Sequence, residues 1–312
     1  MKGRDAASMI RVGCCGYPLS MKKYYETFSL VELNNTFYQY PKANTVERWR
    51  NTAPSDFEFT VKAHQDISHK HRLKLNQACM EAFDRMKEIC TTLKARILLI
   101  QTPASFSPEK LDDAIKFFHK VERENLALDW ETRGEAWNQP ETRRRLAQEL
   151  SEANVSHVTD PFAVAPAFAT ETAYFRLHGL GERMYYYQYS DNELRRLHEN
   201  ALSFQETRKR VYVLFNNLAM FDDAVRLQHF LKHDRFPSIT STVGLNSVQE
   251  VVSKTRYPAT KATLIKRLGW RLVELQKGEQ VQLQALMREL SAKNYESAEQ
   301  VIGELEKKLQ SH

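Results

Sequence analysis

The 312-residue sequence has no apolar run long enough to cross a membrane, and it has only four cysteines. A transmembrane helix needs about 20 consecutive apolar residues, so we expect no membrane span. The opening segment "MKGRDAASMI" lacks the apolar middle of a signal peptide. The cysteines fit neither a disulfide framework nor a zinc-binding spacing, because Cys14 and Cys15 are adjacent while Cys79 and Cys90 lie far away. These absences predict a globular, cytoplasmic protein with reduced thiols.

Internal repeats are also missing, which excludes a solenoid. Hydrophobic residues make up 42% of the chain, enough to fill a sizeable core. The formal net charge is +6 and the isoelectric point is near 9.0. This charge favours polyanionic partners such as nucleic acid or phosphorylated metabolites. A purely solubilising role for the charge is the alternative.

Eight short runs with the composition of β-strands alternate along the chain with stretches of helical periodicity. The runs are "IRVGCCG" (10–16), "LVELNN" (30–35), "FEFTVKA" (57–63), "ARILLIQT" (95–102), "NLALDWE" (125–131), "NVSHVTD" (154–160), "AYFRLHG" (173–179) and "VYVLFNN" (211–217). Helical spacing is clear over 76–93, 107–123 and 139–153, and Ser107 followed by Pro108 predicts a helix N-terminus. This alternation over about 250 residues predicts a (β/α)8 TIM barrel, with a doubly wound open sheet as the alternative.

One connection breaks the alternation. Only the segment 161–172 separates the sixth run from the seventh, and Pro161 and Pro166 disfavour a full helix there. We therefore predict an irregular crossover and a barrel that is slightly open between strands 6 and 7.

The end of the chain differs in composition from the barrel. After a closing helix predicted over 218–234 and a linker over 235–244, the sequence is rich in Leu, Gln, Glu and Lys. Apolar residues recur at helical spacing in 263–276 and 295–310. The predicted domains are a flexible N-terminus over 1–9, a barrel domain over 10–235 and a C-terminal helical extension over 236–312.

Charged and polar side chains collect at the predicted strand ends, where a TIM barrel forms its site. Side chains alternate across a strand, so Glu131 shares a face with Asp129, and Arg176 shares one with His178. The candidate residues are Glu32, Asn34, Lys62, His69, Gln101, Glu131, Arg133, Asp160, Arg176, His178, Asn216 and Asn217. Burying unpaired charges is costly, so these groups neutralise one another, bind a ligand or stay hydrated.

Two interpretations of these residues stay open. In the first, Glu32 pairs with Arg133 or Arg176 in a buried salt-bridge network that Lys62 and Asp160 join. In the second, the same groups face a ligand. His157 lies within the sixth run and is predicted to be a core histidine with satisfied hydrogen bonds.

Aromatic residues accompany the charged ones. The segment "RMYYYQYS" (183–190) follows the seventh run, and Phe37, Tyr38, Trp130 and Trp137 lie near other strand ends. Rings beside cations suit a sugar, a nucleobase or a single strand, with simple loop packing as the alternative. Tyr38 and Trp137 therefore join the candidate substrate-binding residues.

Taken together, the motifs resemble the YecE-like family known as domain of unknown function 72. They are "GCCGYP" (13–18), "YYETFSLVELNNTFYQYP" (24–41), Trp49, "P..F.F.VKA" (54–63), "SH" (68–69), "IQTP" (100–103), "DWETRGEAW" (129–137), "YFRLHG" (174–179) and "VLFNN" (213–217). The resemblance covers roughly residues 10–235 and implies a TIM barrel with a polar pocket. The matched pocket residues are Glu32, Asn34, Lys62, His69, Glu131, Arg133, Arg176, His178 and Asn217. The resemblance implies no reaction, although a fold likeness to barrel endonucleases has been suggested for the family. Ser68 stands where the family usually has threonine.

The first functional hypothesis is a hydrolase that acts on a phosphate-containing substrate or a nucleic acid. Arg133, Arg176 and Lys62 would hold the anion, Glu131 or Glu32 would act as the base, and His178 as the acid or anion stabiliser. The sequence requires no cofactor, and a single Mg²⁺ or Zn²⁺ is the metal alternative. Cations among the candidate ligands argue against a multinuclear metal site.

Two alternatives remain. A glycosidase would use Glu32 and Glu131 as its carboxylate pair, but the surrounding cations suit an anionic ligand better. A non-catalytic binding module would hold a nucleic acid or nucleotide in the barrel, while residues 245–312 recruit a protein partner or a second copy of the chain.

Overall fold

A computed structural model describes residues 10–205 and 210–309. Within them, eight parallel strands form one sheet. The strands are β1 Ile10–Cys15, β2 Leu30–Leu33, β3 Glu58–Lys62, β4 Ile97–Gln101, β5 Ala127–Glu131, β6 Ser156–Val158, β7 Thr172–Leu177 and β8 Arg210–Phe215. Their order in the sheet is β6-β5-β4-β3-β2-β1-β8-β7. All eight predicted strands are present, and the sheet closes into a nearly complete TIM barrel with a seam between β6 and β7.

Helices follow most of the strands. They are α1 Met21–Thr27, α2 Ala43–Thr52, α3 Gln77–Leu93, α4 Leu111–Lys120, α5 Pro140–Ala153, α6 Asp191–Gln205 and α7 Met220–His233. The predicted start at Ser107 is confirmed only in part. A 3-10 turn over Pro108–Lys110 begins there, but the Ser107 side chain makes no capping hydrogen bond.

The barrel interior is filled by alternate residues of the strands. Seven of the eight strands contribute to one buried cluster. Its members are Cys15, Leu30, Ile97, Leu99, Val158, Tyr174, Tyr212 and Leu214, and the partly buried Ala127 packs against it. The remaining strand, β3, contributes Thr60, whose Oγ1 lies 2.7 Å from the Tyr174 hydroxyl. The intervening residues, such as Trp130 and Phe175, are buried on the opposite face of the sheet.

The seam between β6 and β7 contains a single parallel bridge, Thr159 to Phe175. The Arg176 N–H donates to the Thr159 carbonyl across it at 3.0 Å. The crossover over 161–171 contains neither helix nor strand, as Pro161 and Pro166 predicted. Part of it lies along β6, where the His157 N–H donates to the Phe168 carbonyl at 2.9 Å.

The chain divides into two compact units. The first runs up to Leu177 and includes Leu197–Asn216, so it holds the barrel strands. The second comprises His178–Arg196 and everything from Asn217 onward.

The C-terminal part of the second unit is mostly helical but also contains two small antiparallel sheets. Its elements are α8 Leu245–Val252, β9 Ala259–Thr260, α9 Lys261–Leu268, β10 Leu272–Gln276, β11 Glu279–Gln282, α10 Leu283–Met287, β12 Asn294–Tyr295 and α11 Ala298–Leu309. These elements share a buried core that includes Val248, Leu264, Leu283 and Val301.

The helical structure predicted over 263–276 is wrong beyond Leu268. The helix ends at Leu268, and β10 pairs with β11 in a hairpin that turns at Gly278, where φ is +84°. Glycine adopts such a left-handed backbone without the steric cost of a side chain. No helix found between residues 10 and 309, apart from the undescribed 206–209, is long and apolar enough to cross a membrane.

Candidate functional site

Arg176 is the centre of the polar ring at the mouth of the barrel. It follows Tyr174 on the inner face of β7 and is fully buried. Its Nη2 and Nε donate to the two oxygens of Glu32 at 2.8 and 3.0 Å. Its Nη1 donates to Oε2 of Glu131, and Nη2 also lies 3.4 Å from the Asn34 side-chain oxygen.

Arg133 extends this network toward solvent. Its Nη2 lies 2.6 Å from Oε1 of Glu131, so both oxygens of that carboxylate contact guanidinium groups. Burial alone would lower the pKa of Arg176, but the nearby Glu131 and Glu32 outweigh it and raise that pKa well above its usual value. Arg176 thus keeps its charge although it is buried. We refer to Glu32, Glu131, Arg133 and Arg176 as the mouth network.

Lys62 stands at the end of β3, two positions beyond Thr60 on the same face. Its Nζ lies 4.2 Å from the centroid of the Phe37 ring, a cation–π contact. Burial, with Arg176 as the next cause, lowers the pKa of Lys62 to about 8, against the opposing effect of Glu32 and Glu131. No carboxylate oxygen of the described chain lies within 4.0 Å of this ammonium group.

His69 also contacts the Phe37 ring. The two rings meet edge to face with centroids 4.9 Å apart. The Nδ1 atom of His69 is 2.9 Å from the Ser68 hydroxyl. Burial and the charges of Lys62 and Arg72 lower the pKa of His69, so its imidazole is neutral at pH 7. Phe37 thus organises Lys62 and His69 as a pair.

Three further candidates lie at strand ends around this ring. Gln101 ends β4 in register with Glu131 and is half-buried. Asp160 follows β6, and its Oδ1 accepts a hydrogen bond from the Phe162 N–H at 3.0 Å. Asn216 directly follows β8 and is half-buried. The strand register therefore places Gln101 beside Glu131 of the network.

The structure gives the two aromatic candidates different surroundings. Trp137 is 1% exposed, packs edge to face on Trp130 at 5.2 Å and donates its indole N–H to the Phe106 carbonyl. These contacts leave no face of the indole for a ligand, so Trp137 is a packing residue. Tyr38 is 71% exposed and rests edge to face on Phe37.

His178 and Asn217 belong to the second unit. His178 is buried, and its ring centroid lies 5.9 Å from that of Tyr185. The Asn217 amide donates to the Tyr187 carbonyl at 2.8 Å and to Asp223 at 2.7 Å. Asn217 is therefore committed to holding the chain around Tyr187.

Sequence reasoning placed Asp129 on the same face as Glu131, but it did not reveal the contacts of the groups directly beneath the network. The Tyr174 hydroxyl donates to Glu32 at 2.8 Å, which joins the network to Thr60. Asp129, two positions before Glu131, is fully buried. The alternation that grouped Asp129 with Glu131 was the available signal, but it does not reveal which partners a side chain meets. His157 is confirmed as a satisfied core histidine, bonded to Thr132 and the Ala167 N–H.

The donor set does not favour a metal. Among the described residues, no group of three or more His, Cys, Asp or Glu side chains is arranged to hold a metal ion. The mouth carboxylates already face guanidinium groups. We therefore derive no step through a metal.

The fold, an eight-stranded parallel barrel with its polar ring at the carboxyl ends of the strands, defines a TIM-barrel protein. Residues 16–242 match the family described as "Protein of unknown function DUF72", and the chain belongs to that family. This confirms the resemblance seen in the sequence motifs. Residues 242–311 match a second description, "Family of unknown function (DUF5789)".

Relatives and solved structures agree with this assignment. The chain is 25% identical over 226 residues to the UPF0759 protein YunF of Bacillus subtilis, covering 63% of this chain and 80% of that protein. It is 34% identical over 93 residues to the UPF0759 protein YecE of Escherichia coli K12, covering 30% of this chain and 34% of that protein. A DUF72 family protein of Enterococcus faecalis V583 superposes with a TM-score of 0.60 at 24% identity, covering 72% of this chain and 98% of that one. A DUF72 family protein of Thermotoga maritima MSB8 gives 0.57 at 24% identity, covering 72% and 100%. At these identities the two structures support the fold alone.

Proposed function

We propose that the mouth of the barrel binds a phosphate-bearing ligand and that the protein hydrolyses it, with nucleic acids and phosphorylated metabolites as the candidate substrate classes. Lys62 carries the proposal. Its ammonium group is buried, largely protonated at pH 7, and has no carboxylate within 4.0 Å among the residues described. A buried charge without a counter-charge is costly. An anionic ligand would supply the counter-charge.

The charge balance of the mouth supports this choice. The carboxylates of Glu32 and Glu131 are matched by the guanidinium groups of Arg176 and Arg133. Lys62 has no such carboxylate partner within 4.0 Å among the described residues, while Asp160, which follows β6, adds a third carboxylate to the rim. The overall charge of +6 works in the same direction, because a basic protein attracts polyanions from a distance.

The contacts shift the catalytic roles predicted from sequence. Glu131 and Glu32 use their oxygens to hold arginines, which favours a positioning role over that of a general base. We assign the base to His69, whose lowered pKa keeps it neutral and able to accept a proton. It would take a proton from the attacking water as the P–O ester bond breaks, while Lys62 stabilises the phosphoryl oxygens.

Sulfate is a suitable first probe, because its charge is constant across the titration of Lys62. We expect calorimetry to show sulfate binding at pH 7 that weakens as the pH rises through about 8, since the protonated lysine is lost there. Lys62→Met should weaken binding by at least about tenfold. Lys62→Arg should bind equally well at pH 7 and pH 9. The matched control is Lys74→Met, which removes an exposed lysine. Sulfate affinity that is unchanged in Lys62→Met, together with the same loss of affinity at high pH in Lys62→Arg as in the parent, would overturn the anion site.

Hydrolysis is tested separately with a chromogenic phosphodiester and with DNA that contains an abasic site. We expect His69→Gln to lower kcat by about 100-fold, as loss of a general base does, with sulfate affinity retained. If turnover is unchanged in His69→Gln, His69 is not the general base.

A non-catalytic binding module is the second candidate, favoured by the fact that both mouth carboxylates already contact arginines. In this case the C-terminal part over 245–312 would recruit a partner. Salt-dependent binding of DNA or RNA without any turnover would select the module over the enzyme.

A further inference from the structure

The second unit contains a cavity of about 540 Å³ that none of the functions above uses. Its wall is formed by the loop after His178 and by the segments around α9 and the β10–β11 hairpin. Small-molecule sites commonly enclose about 300–1,000 Å³. The cavity is therefore large enough for a ligand of metabolite size.

Flat surfaces line the cavity. The guanidinium carbon of Arg183 lies 3.2 Å from the centroid of the Tyr186 ring, so the two planes are in contact. The Tyr186 ring meets Trp270 edge on, with centroids 6.4 Å apart. Trp270 is half-buried and fixed by an indole hydrogen bond to the Arg267 carbonyl at 2.8 Å. Aromatic rings and guanidinium planes of this kind are the surfaces on which nucleobases stack.

Two cations of the wall have no acidic partner. Within the described chain, no carboxylate oxygen lies within 4.0 Å of the charged groups of Arg183 or Lys266. Both side chains are exposed at the cavity. They are available to a phosphate group, which arginine binds in a bidentate geometry.

Two neutral side chains complete the set. Gln282 and Gln284 line the same wall, and neither side-chain amide makes a hydrogen bond to any residue that the structure describes. An amide offers both a donor and an acceptor. A few polar groups placed in this way fix the orientation of a ligand in an otherwise flat pocket.

A ligand that uses all three features has a flat ring with hydrogen-bonding edges and a phosphate. We propose that this cavity is a mononucleotide-binding site, in which the base stacks against Trp270, the glutamines read its edge, and Arg183 and Lys266 hold the phosphate. Glu182, also in the wall, is suited to accept hydrogen bonds from the ribose hydroxyl groups. The mouth network of the barrel takes no part in this site.

Calorimetry with AMP, GMP, CMP and UMP tests the proposal on the full chain. We expect at least one mononucleotide to bind with Kd below about 1 mM. If AMP is the ligand, it should bind at least about tenfold more tightly than adenosine, ribose 5-phosphate or inorganic phosphate. For another mononucleotide, its own nucleoside replaces adenosine in this comparison.

Variants locate the site. Arg183→Ala removes an exposed side chain and should weaken binding by about tenfold without affecting the thermal unfolding midpoint. Trp270→Ala should weaken it similarly, whereas Trp270→Phe keeps a ring and most of the affinity. Lys266→Ala has a charge-matched control in Lys277→Ala, an exposed lysine of the hairpin turn that does not line the cavity.

Failure here is distinguishable from failure of the barrel function. Lys62→Met should leave mononucleotide affinity unchanged, and Arg183→Ala should leave sulfate binding at the mouth unchanged. The proposal is overturned if none of the four mononucleotides binds, if binding ignores Arg183→Ala, or if a single-stranded RNA binds where mononucleotides do not.

Discussion

Glu131 and Asp129 occupy neighbouring layers of the barrel interior, two positions apart on β5. Glu131 meets two arginines, but neither Asp129 oxygen has a hydrogen bond of normal geometry within the part of the chain described. The pKa of Asp129 rises to about 8 because it is buried, a shift that the nearby Ser156 hydroxyl reduces only in part. Arg176 keeps its charge beside two carboxylates, whereas Asp129, in the layer beneath, avoids a charge by holding a proton. Burial is common to both, so the available partners decide between the two solutions.

Removing the Arg176 guanidinium group from the mouth network should cause the largest loss of unfolding free energy. Arg176→Met leaves Glu32 and Glu131 buried without their shared cation. Breaking a buried pair costs about 3–5 kcal/mol, and two carboxylates put this variant at the upper end, about 5 kcal/mol of unfolding free energy. Urea unfolding at pH 7 measures the loss. Adding Glu32→Gln and Glu131→Gln to Arg176→Met should restore much of the lost unfolding free energy. If Arg176→Met alone costs less than about 1 kcal/mol, the comparison between the two layers is contradicted.

Asp129, in the lower layer, should make the unfolding free energy depend on pH with the opposite sign to that of a salt-bridged carboxylate. The folded pKa of Asp129, about 8, lies above the unfolded value of about 4. Between these values the folded chain holds a proton that the unfolded chain has released, so stability falls as the pH rises. We expect Asp129→Asn to remove a slope of about 1 kcal/mol per pH unit and to be more stable than the parent at pH 8.

Asp56→Asn, at an exposed position, controls for the amide substitution itself. Unfolding free energies at pH 5, 6, 7 and 8 give the two slopes directly. Parallel curves for the parent and Asp129→Asn would show that Asp129 is ionised in the folded barrel, and the contrast with Glu131 would then be wrong.

Removing the Tyr174 hydroxyl, which links the two layers, should cause the smallest loss of stability. The Tyr174 hydroxyl joins Glu32 in the mouth to Thr60 below it, at 2.8 and 2.7 Å. Tyr174→Phe removes a hydrogen bond to a charged group, worth about 1.5 kcal/mol. The urea midpoint should fall accordingly, whereas Tyr38→Phe, which alters an exposed ring, should change it little. If Tyr174→Phe costs the same in a Glu32→Gln background, the hydroxyl does not couple the layers.

Sequence patterns predicted the barrel because composition and alternation are local properties. They placed Arg176 and Glu131 on inward-facing positions at strand ends, and the irregular crossover was readable from Pro161 and Pro166. The partners of Arg176 were not readable, because Glu32 lies 144 residues away and the pairing depends on how the strands are staggered around the barrel. Sequence left open whether Glu32 pairs with Arg133 or Arg176, and the contacts select Arg176.

Two other differences have local causes. Trp137 was predicted to bind substrate because it follows a strand end, but a short turn over Glu135–Asn138 folds it under the loop that contains Phe106. In the C-terminal part, the helical spacing of apolar residues continues past Leu268, but the alternation on either side of Gly278 was a hairpin signal that outweighs it.

The open seam of the barrel also bears on association between molecules. A three-residue strand with unpaired backbone groups is a template for a foreign strand. Here the crossover itself covers β6: the Phe168 carbonyl accepts from His157, and the Ser156 hydroxyl accepts from the Thr170 N–H at 3.1 Å. The helix-free crossover thus occupies backbone groups of β6 that a foreign strand would otherwise pair with, and we expect a regular helix in its place to leave them exposed.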